Sequence, residues 1–308
     1  MKLPQAAVAA LILAISISFF ILPKYRQDFP FTGRVQKIDF QDSLKLEPYP
    51  ITVSGFESAP TLSAQAATVI DNKTGVTLFE KDPDLKHLPA STTKLMTALV
   101  ALENCLPQTV VRIGFVEEKG TKMGLAAGDQ LTVESLLYGL LVPSGNDAAF
   151  VLAYSCNDSY LGFIAEMNKK AKDLGMVNTH FVNPAGFDDQ FQYSTARDLT
   201  KLSRAAVANP LISKIVATKS IVVNDVTGTK TYYLENVNKL LGKVPGVEGV
   251  KTGQTEGSLE NLVARATRGG NTIITVVLGS GDRFGETGQL IEWAYKNHKW
   301  ISPGQPKP

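Results

Sequence analysis

Leu88-Pro89-Ala90-Ser91-Thr92-Thr93-Lys94-Leu95-Met96-Thr97-Ala98-Leu99-Val100 decides how the rest of the chain is read. Leu95, Leu99 and Leu102 recur at helical spacing, with Met96 and Val100 beside them. The spacing predicts a buried helix that starts near Ser91. Residues three apart share a helix face, so Lys94 stands one turn above Ser91. A hydroxyl is a poor nucleophile at neutral pH, and a neutral amine beside it can take its proton. Burial disfavours the ammonium form, so a helix packed in a core suits such a lysine. Ser-x-x-Lys is also a short motif that arises by chance, and Ser91 could equally be an N-cap. The pair acquires chemical meaning only if other stretches supply partners.

The chain of 308 residues is long enough for one large domain or two smaller ones. With 44% hydrophobic and 19% charged residues it reads as an ordinary globular chain with a sizeable core. A formal charge of +2 without a basic run gives no footprint for nucleic acid. His87, His180 and His298 are scattered, and Cys105 and Cys156 form no ligand cluster, so neither a metal nor any other cofactor is expected. The two cysteines permit at most one disulfide; they are read as buried thiols, with pairing as the alternative.

Ala6 to Leu22 is an unbroken apolar run closed by Lys24 and Arg26. It is close to the length of a membrane helix and lacks an adjacent small-residue cleavage site, so residues 1–24 are read as an uncleaved signal anchor. Residues 25–62, with Pro30, Pro48, Pro50 and Pro60, read as an extended linker. The globular region is placed at residues 63–299, and residues 300–308 are read as a short disordered tail. Within it, strands are expected at 67–71 and 76–80, and strand-like segments at 110–118 and 120–132. Helices follow at 133–141, 147–156, 160–174 and 195–208. Strands are then expected at 215–224 and 229–234, a hairpin at 261–279 around Arg268-Gly269-Gly270-Asn271, and a helix at 284–297. Strands at both ends with helices between them predict an α+β fold, one antiparallel sheet packed against a helical body.

Two later stretches answer the first. Ser144-Gly145-Asn146 sits on a tight turn between apolar helices, where it is either a capping turn or a polar tip pushed into a site. Lys251-Thr252-Gly253 lies on a short alternating strand. Ser-x-x-Lys, Ser-x-Asn and Lys-Thr-Gly in this order form a known catalytic set with the first serine as nucleophile.

With these motifs in place, the region from Ser63 to His298 resembles the D-alanyl-D-alanine carboxypeptidases, the low-molecular-mass penicillin-binding proteins of the serine β-lactamase-like superfamily. Val69-Ile70-Asp71, the serine stretch itself, Ser144-Gly145-Asn146-Asp147-Ala148-Ala149 and Tyr193-Ser194-Thr195-Ala196-Arg197-Asp198-Leu199 all look like that family's motif contexts. The resemblance implies a β-lactamase/transpeptidase-like fold with the active site between sheet and helices. It implies that Ser91 attacks the carbonyl between two D-alanines of a peptidoglycan stem peptide while Lys94 takes its proton. Ser144 would pass a proton to the leaving amine, and Asn146 would orient substrate and Lys94. Lys251, Thr252 and Arg197 would face the terminal carboxylate. Gly253 belongs to the substrate-binding strand, and the backbone N–H groups of Ser91 and Gln254 would form the oxyanion hole. β-Lactams would act as covalent inhibitors. The domain would face the cell wall, held to the membrane through residues 6–22.

Two departures stand out. The family usually carries an aromatic residue or histidine where this chain has Gln254, and often histidine where it has Gln192. A D,D-endopeptidase uses the same chemistry on cross-links and is the alternative. A β-lactamase would need a base for the deacylating water, and Glu166, within an expected helix, is the nearest candidate. A silent peptidoglycan-binding or sensor domain would not need all of Ser91, Lys94, Ser144, Asn146 and Lys251.

Overall fold

A computed structural model describes residues 47–117 and 119–302. The expected anchor at 6–22 and most of the expected linker lie outside the described residues. Among those described, no helix is long and apolar enough to cross a membrane.

Eleven strands are present among the described residues: β1 (Tyr49–Thr52), β2 (Ala66–Asp71), β3 (Thr77–Lys81), β4 (Val110–Arg112), β5 (Gln130–Thr132), β6 (Ser220–Asn224), β7 (Thr231–Glu235), β8 (Val247–Thr255), β9 (Leu259–Arg268), β10 (Asn271–Ser280) and β11 (His298–Ile301). The α-helices are α1 (Lys94–Asn104), α2 (Val133–Leu141), α3 (Asn146–Ser155), α4 (Tyr160–Asp173), α5 (Ala196–Ala208), α6 (Pro210–Val216) and α7 (Arg283–Asn297). The main sheet is antiparallel, in the order β3-β2-β10-β9-β8, which leaves β8 at one edge and β3 at the other.

The strand period of two divides the sheet's side chains between two cores. Ile70, Val263, Ile274 and Val276 join the helical body. Val69, Leu262, Ile273 and Val277 instead pack with Leu290, Ile291 and Ala294 of α7. β2 is therefore buried along its whole length. The β9–β10 turn is made by Gly269 and Gly270 with φ of +55° and +80°, the left-handed pair that a tight hairpin requires. Helix starts follow local chemistry: Thr132, Ser159, Thr195, Asn209 and Asp282 each accept a hydrogen bond from a first-turn amide.

Several expectations are corrected. The serine stretch begins as a 3-10 turn, Ala90–Thr93, before α1. Only the ends of the 110–132 region are strands; between them lies a loop that Asp147 holds by accepting from the amides of Met123, Gly124 and Leu125. Residues 215–216 end α6 instead of starting a strand, because Asn209 caps a short helix with Pro210 at its first position. The folded body also extends beyond 63–299: β1 pairs with β11 from Tyr49↔Ile301 to Thr52↔His298, which absorbs part of the expected linker and of the expected tail.

The cysteines are not free thiols. Cys105 follows α1 and Cys156 follows α3; the two helices end side by side, with Cα atoms 5.5 Å apart, and the sulfurs are bonded.

Candidate active site

Ser91 is presented by the 3-10 turn, where Ala90 takes a φ of +48°, a strained value for a residue with a side chain. The turn is gripped from two sides. Gly186 packs so closely that a Cβ there would stand 1.8 Å from the carbonyl oxygen of Ala90, and its φ of +89° also calls for glycine. Gly253 of β8 approaches from the sheet, where a Cβ would meet the backbone nitrogen of Ser91 at 3.2 Å. The close approach of strand to turn explains why this position of Lys251-Thr252-Gly253 has no side chain.

Lys94 is fully buried. Its Nζ lies 2.8 Å from Ser91 Oγ, 2.7 Å from Asn146 Oδ1 and 2.7 Å from the carbonyl oxygen of Ala185. Burial pushes its pKa well below the ordinary lysine value, the charge of Lys251 adds to this, and Asp147 opposes it. A neutral amine has two N–H donors and one lone pair. In that neutral form the Asn146 and Ala185 oxygens take the two donors and leave the lone pair for the hydroxyl of Ser91, whereas the ammonium form donates to all three oxygens.

The Ser144 tip is built by the backbone. Ser144 has a φ of +68°, and the amide of Gly145 donates to Gly139 O at 2.9 Å. Asn146 is fixed at both ends, since its backbone amide donates to Thr121 O at 2.7 Å and its Nδ2 to Lys119 O at 2.8 Å. Lys251 reaches across from β8, with Nζ 2.8 Å from Ser144 Oγ and 3.0 Å from Thr252 O. Burial, and then the charge of Arg283, pull its pKa down to about 7. Thr252 is mostly buried beside it.

Ser91, Lys94, Ser144, Asn146, Lys251, Thr252, Gly253 and Gln254 thus converge at the edge of the sheet. Arg197 does not. Its guanidinium donates to Asp84 and Glu80 near the opposite edge strand, with Nε–Oδ1 at 2.8 Å and Nη1–Oε1 at 2.7 Å. Two carboxylates occupy its donors, and the expected carboxylate contact at the site is corrected accordingly.

Arg283, which sequence reasoning missed, is the arginine that stands beside the site. Standing at the start of α7, it donates from Nη1 to Gly253 O at 3.2 Å and to Gln254 Oε1 at 3.0 Å. Its buried Nε has no partner among the described residues. Only Gly281-Asp282 before a helix start signals such a residue in sequence, and that signal concerns capping. Gln192 was also missed as a support. Its Oε1 accepts from the amides of Val182 and Asn183, and its Nε2 donates to Phe187 O, which fixes the loop that brings Ala185 O to Lys94. Glu166 lies on the exposed side of α4, 3.4 Å from Lys169.

This arrangement can perform nucleophilic acyl transfer: a serine beside a buried amine whose proton affinity is lowered, a second hydroxyl–lysine pair opposite, and a guanidinium at the rim that is paired with Glu260 at 3.7 Å. Residues 54–282 match the family described as Peptidase_S11, D-alanyl-D-alanine carboxypeptidase. The D-alanyl-D-alanine carboxypeptidase of Streptomyces sp. strain K15 is 38% identical over 239 residues, which are 72% of this chain and 82% of that protein. A D-alanyl-D-alanine endopeptidase of Escherichia coli is 33% identical over 256 residues, covering 82% of this chain and 81% of its own. The crystal structure of the Streptomyces K15 DD-transpeptidase superposes with a TM-score of 0.73 at 34% identity, over 78% of this chain and all of that one. The α+β fold of that enzyme is the fold found here, and the chain belongs to the D-alanyl-D-alanine carboxypeptidase family of serine peptidases.

Proposed function

We propose that Ser91 is the residue acylated, and that the chain removes the terminal D-alanine from peptidoglycan stem peptides. The observation that carries this reading is the environment of Lys94, whose buried Nζ lies 2.8 Å from Ser91 Oγ and is held there by Asn146 Oδ1 and the Ala185 carbonyl. As Ser91 Oγ attacks the scissile carbonyl, its proton passes to Lys94. Backbone N–H groups of Ser91 and Gln254 receive the developing oxyanion. The proton taken up by Lys94 reaches the leaving amine through Ser144, which Lys251 polarises, and water then hydrolyses the acyl-enzyme to the acid and restores the Ser91 hydroxyl. Asn146 holds Lys94 with its oxygen, and its second N–H is available to the substrate.

Arg283 and Thr252 bind the terminal carboxylate, together with the charge of Lys251. The Arg283 guanidinium, held at the rim by the Gly253 carbonyl and Gln254, favours a carboxylate-ended peptide over a cross-link as substrate. A serine ester of this kind is also what a β-lactam forms. The exposed position of Glu166, away from the serine turn, leaves no support for β-lactamase-type deacylation through it. We further assign residues 6–22 as a membrane anchor, residues 25 to about 48 as the linker and the catalytic domain to the cell-wall side. A disulfide fits an oxidising compartment.

The test is to offer the protein a pentapeptide ending in D-Ala-D-Ala and a cross-linked dimer, and to map the adduct of a labelled penicillin by mass spectrometry. Release of D-alanine and an adduct on Ser91 are expected. Cleavage of the dimer alone would make the chain an endopeptidase, and an adduct elsewhere would remove Ser91 from its role.

A further inference from the structure

The two amides assigned to the oxyanion stand on separate elements, Ser91 on the 3-10 turn and Gln254 on β8. Their separation depends on how those elements are held together. A third element touches both: the loop Asn183-Pro184-Ala185-Gly186-Phe187-Asp188. Its inner end rests on α1, where Lys94 Nζ donates to Ala185 O at 2.7 Å and Thr97 Oγ1 to Pro184 O at 2.6 Å. Gly186 then packs against the Ala90 carbonyl of the serine turn. The outer end reaches the sheet through Asp188. Its Oδ1 accepts from Thr255 Oγ1 at 2.6 Å, and its Oδ2 from the amide of Gly257 at 3.0 Å. Both oxygens of one carboxylate are thus spent on the turn that joins β8 to β9.

A bond between two parts transmits position only if each part is itself stiff. Here both are. The amides of Gly186 and Phe187 donate to Asn183 Oδ1 at 2.8 and 3.0 Å. Phe187 O accepts from Asn183 Nδ2 at 3.1 Å and from Gln192 Nε2 at 3.0 Å. Asp188 therefore leaves a fixed backbone. On the other side, Thr255 N donates to Ser258 Oγ and Ser258 N to Thr255 Oγ1, each at 3.0 Å. Gly257 fits closely between its neighbours: a Cβ there would stand 2.7 Å from Leu88 Cδ1 and 2.9 Å from Asp188 Oδ2. The same hairpin end grips the segment that leads into the serine turn, with Ser258 O 2.8 Å from His87 Nε2 and Asn261 Nδ2 donating to Leu88 O at 2.9 Å.

Serine turn, loop and β8 thus close into a ring of contacts. Gly253 and Gly186 press on the turn from two sides, and Asp188 joins loop to strand. Gln254 directly precedes Thr255, so fixing Thr255 fixes the peptide next to the Gln254 amide. Asp188 is exposed, and water could solvate its carboxylate equally well, so its bonds add little to stability. Their effect is geometric. Donors aimed at a developing oxyanion work by preorganisation, and small displacements cost rate.

We propose that Asp188 is a positioning residue for acyl transfer: its two bonds clasp the end of β8 to the 183–188 loop and thereby set the spacing of the Ser91 and Gln254 amides. The proposal rests on the D,D-peptidase reading of the site and adds to it the device that keeps the two donors in register.

The test uses the full chain with Asp188→Ala, Asp188→Asn, Thr255→Val and the double variant of Asp188→Ala with Thr255→Val. Asp189→Ala is the control, an adjacent exposed carboxylate that bonds within its own loop, to the Phe191 amide at 2.8 Å. The readouts are the rate of acylation at saturating labelled penicillin, the binding constant that precedes it, and kcat and KM on a pentapeptide ending in D-Ala-D-Ala. Asp188→Ala should lower the acylation rate and kcat about tenfold, with the binding constant and KM within about twofold of wild type. Thr255→Val should lose a similar amount, and the double variant should fall no more than about twofold below the slower single one, since all three break one clasp. Asp188→Asn keeps an acceptor for the Thr255 hydroxyl and should recover part of the loss. Asp189→Ala should behave as wild type. Full activity in Asp188→Ala, a loss confined to KM, additive losses in the double variant, or an equal loss in Asp189→Ala would overturn the clasp. If Asp188→Ala fails to fold, Thr255→Val and Asp188→Asn make the same comparison. If wild type neither releases D-alanine nor takes penicillin, the D,D-peptidase reading fails instead. Backbone hydrogen exchange over residues 253–258, expected to quicken in Asp188→Ala but not in Asp189→Ala, then decides the clasp separately.

Discussion

Lys94 Nζ and Asn146 Oδ1 lie 2.7 Å apart, although 52 residues separate them in the chain. This bond links the start of α1 to the start of α3, and the Cys105–Cys156 bridge links the far ends of the same helices. The two helices are tied at both ends, and the first tie fixes the amine that stands 2.8 Å from Ser91 Oγ.

Replacing Lys94 with Met removes the proton acceptor while nearly preserving volume. Acylation of Ser91 by a labelled penicillin should slow by about a hundredfold to ten-thousandfold, the usual size of a general-base effect. The far-UV circular dichroism spectrum should remain native. Normal acylation in this variant would rule out Lys94 as the base.

The two buried lysines set opposite limbs of the pH profile. Lys94 must be neutral to act, and burial lowers its pKa in the direction that favours the neutral form. Lys251 loses its charge as the pH rises through about 7, which weakens attraction for the substrate carboxylate. A bell-shaped kcat/KM profile is expected, and Lys251→Arg should shift its alkaline limb upward. An unmoved limb would disconnect that titration from Lys251. For stability the sign is opposite to that of a salt-bridged lysine. The folded-state pKa of Lys251 lies below its ordinary value, so between about 10 and 7 the unfolded chain binds the extra proton. The stability gained by Lys251→Met, read from urea unfolding, should therefore be larger at pH 7 than at pH 10.

Arg283 and Gln254 should separate binding from chemistry. Arg283→Leu removes the guanidinium at the rim, and Gln254→Ala releases the guanidinium that it holds at 3.0 Å. KM for a carboxylate-ended pentapeptide should rise about tenfold or more in the first variant and less in the second, while kcat changes little. A matching loss on a C-terminally amidated peptide would contradict carboxylate recognition.

Arg197 provides the opposite case. Its ion pairs with Glu80 and Asp84 are largely exposed, and such pairs contribute about 0–1 kcal/mol. Arg197→Ala should leave kcat/KM intact and lower stability by no more than about that amount. A large loss of activity would return Arg197 to the substrate.

Replacing both cysteines with alanine frees the α1–α3 ends. Unfolding in urea should show a loss of about 2–4 kcal/mol, the usual range for a bridge across a loop of this kind.

Helices and motifs were legible because their signals are local. The spacing of Leu95, Leu99 and Leu102, the caps at Thr132 and Ser159, and the glycines at 269 and 270 each act within a few residues. The three catalytic motifs were legible for the same reason: each is a short stretch whose residue types serve one reaction. What stayed hidden depends on long-range approach. No periodicity reports that residues 49–52 pair with 298–301, that Cys105 meets Cys156, or that Gly186 and Gly253 close on the serine turn. Arg197 and Arg283 make the point most sharply. The sequence by itself determined the family and singled out Ser91 and Lys94 as the proposed nucleophile and base, since those lie in contiguous motifs. Only the tertiary structure decided which arginine faces the site, because a guanidinium on a long side chain goes where its acceptors are. For Arg197 these are the carboxylates of Glu80 and Asp84, and for Arg283 they are the Gly253 carbonyl and the Gln254 amide.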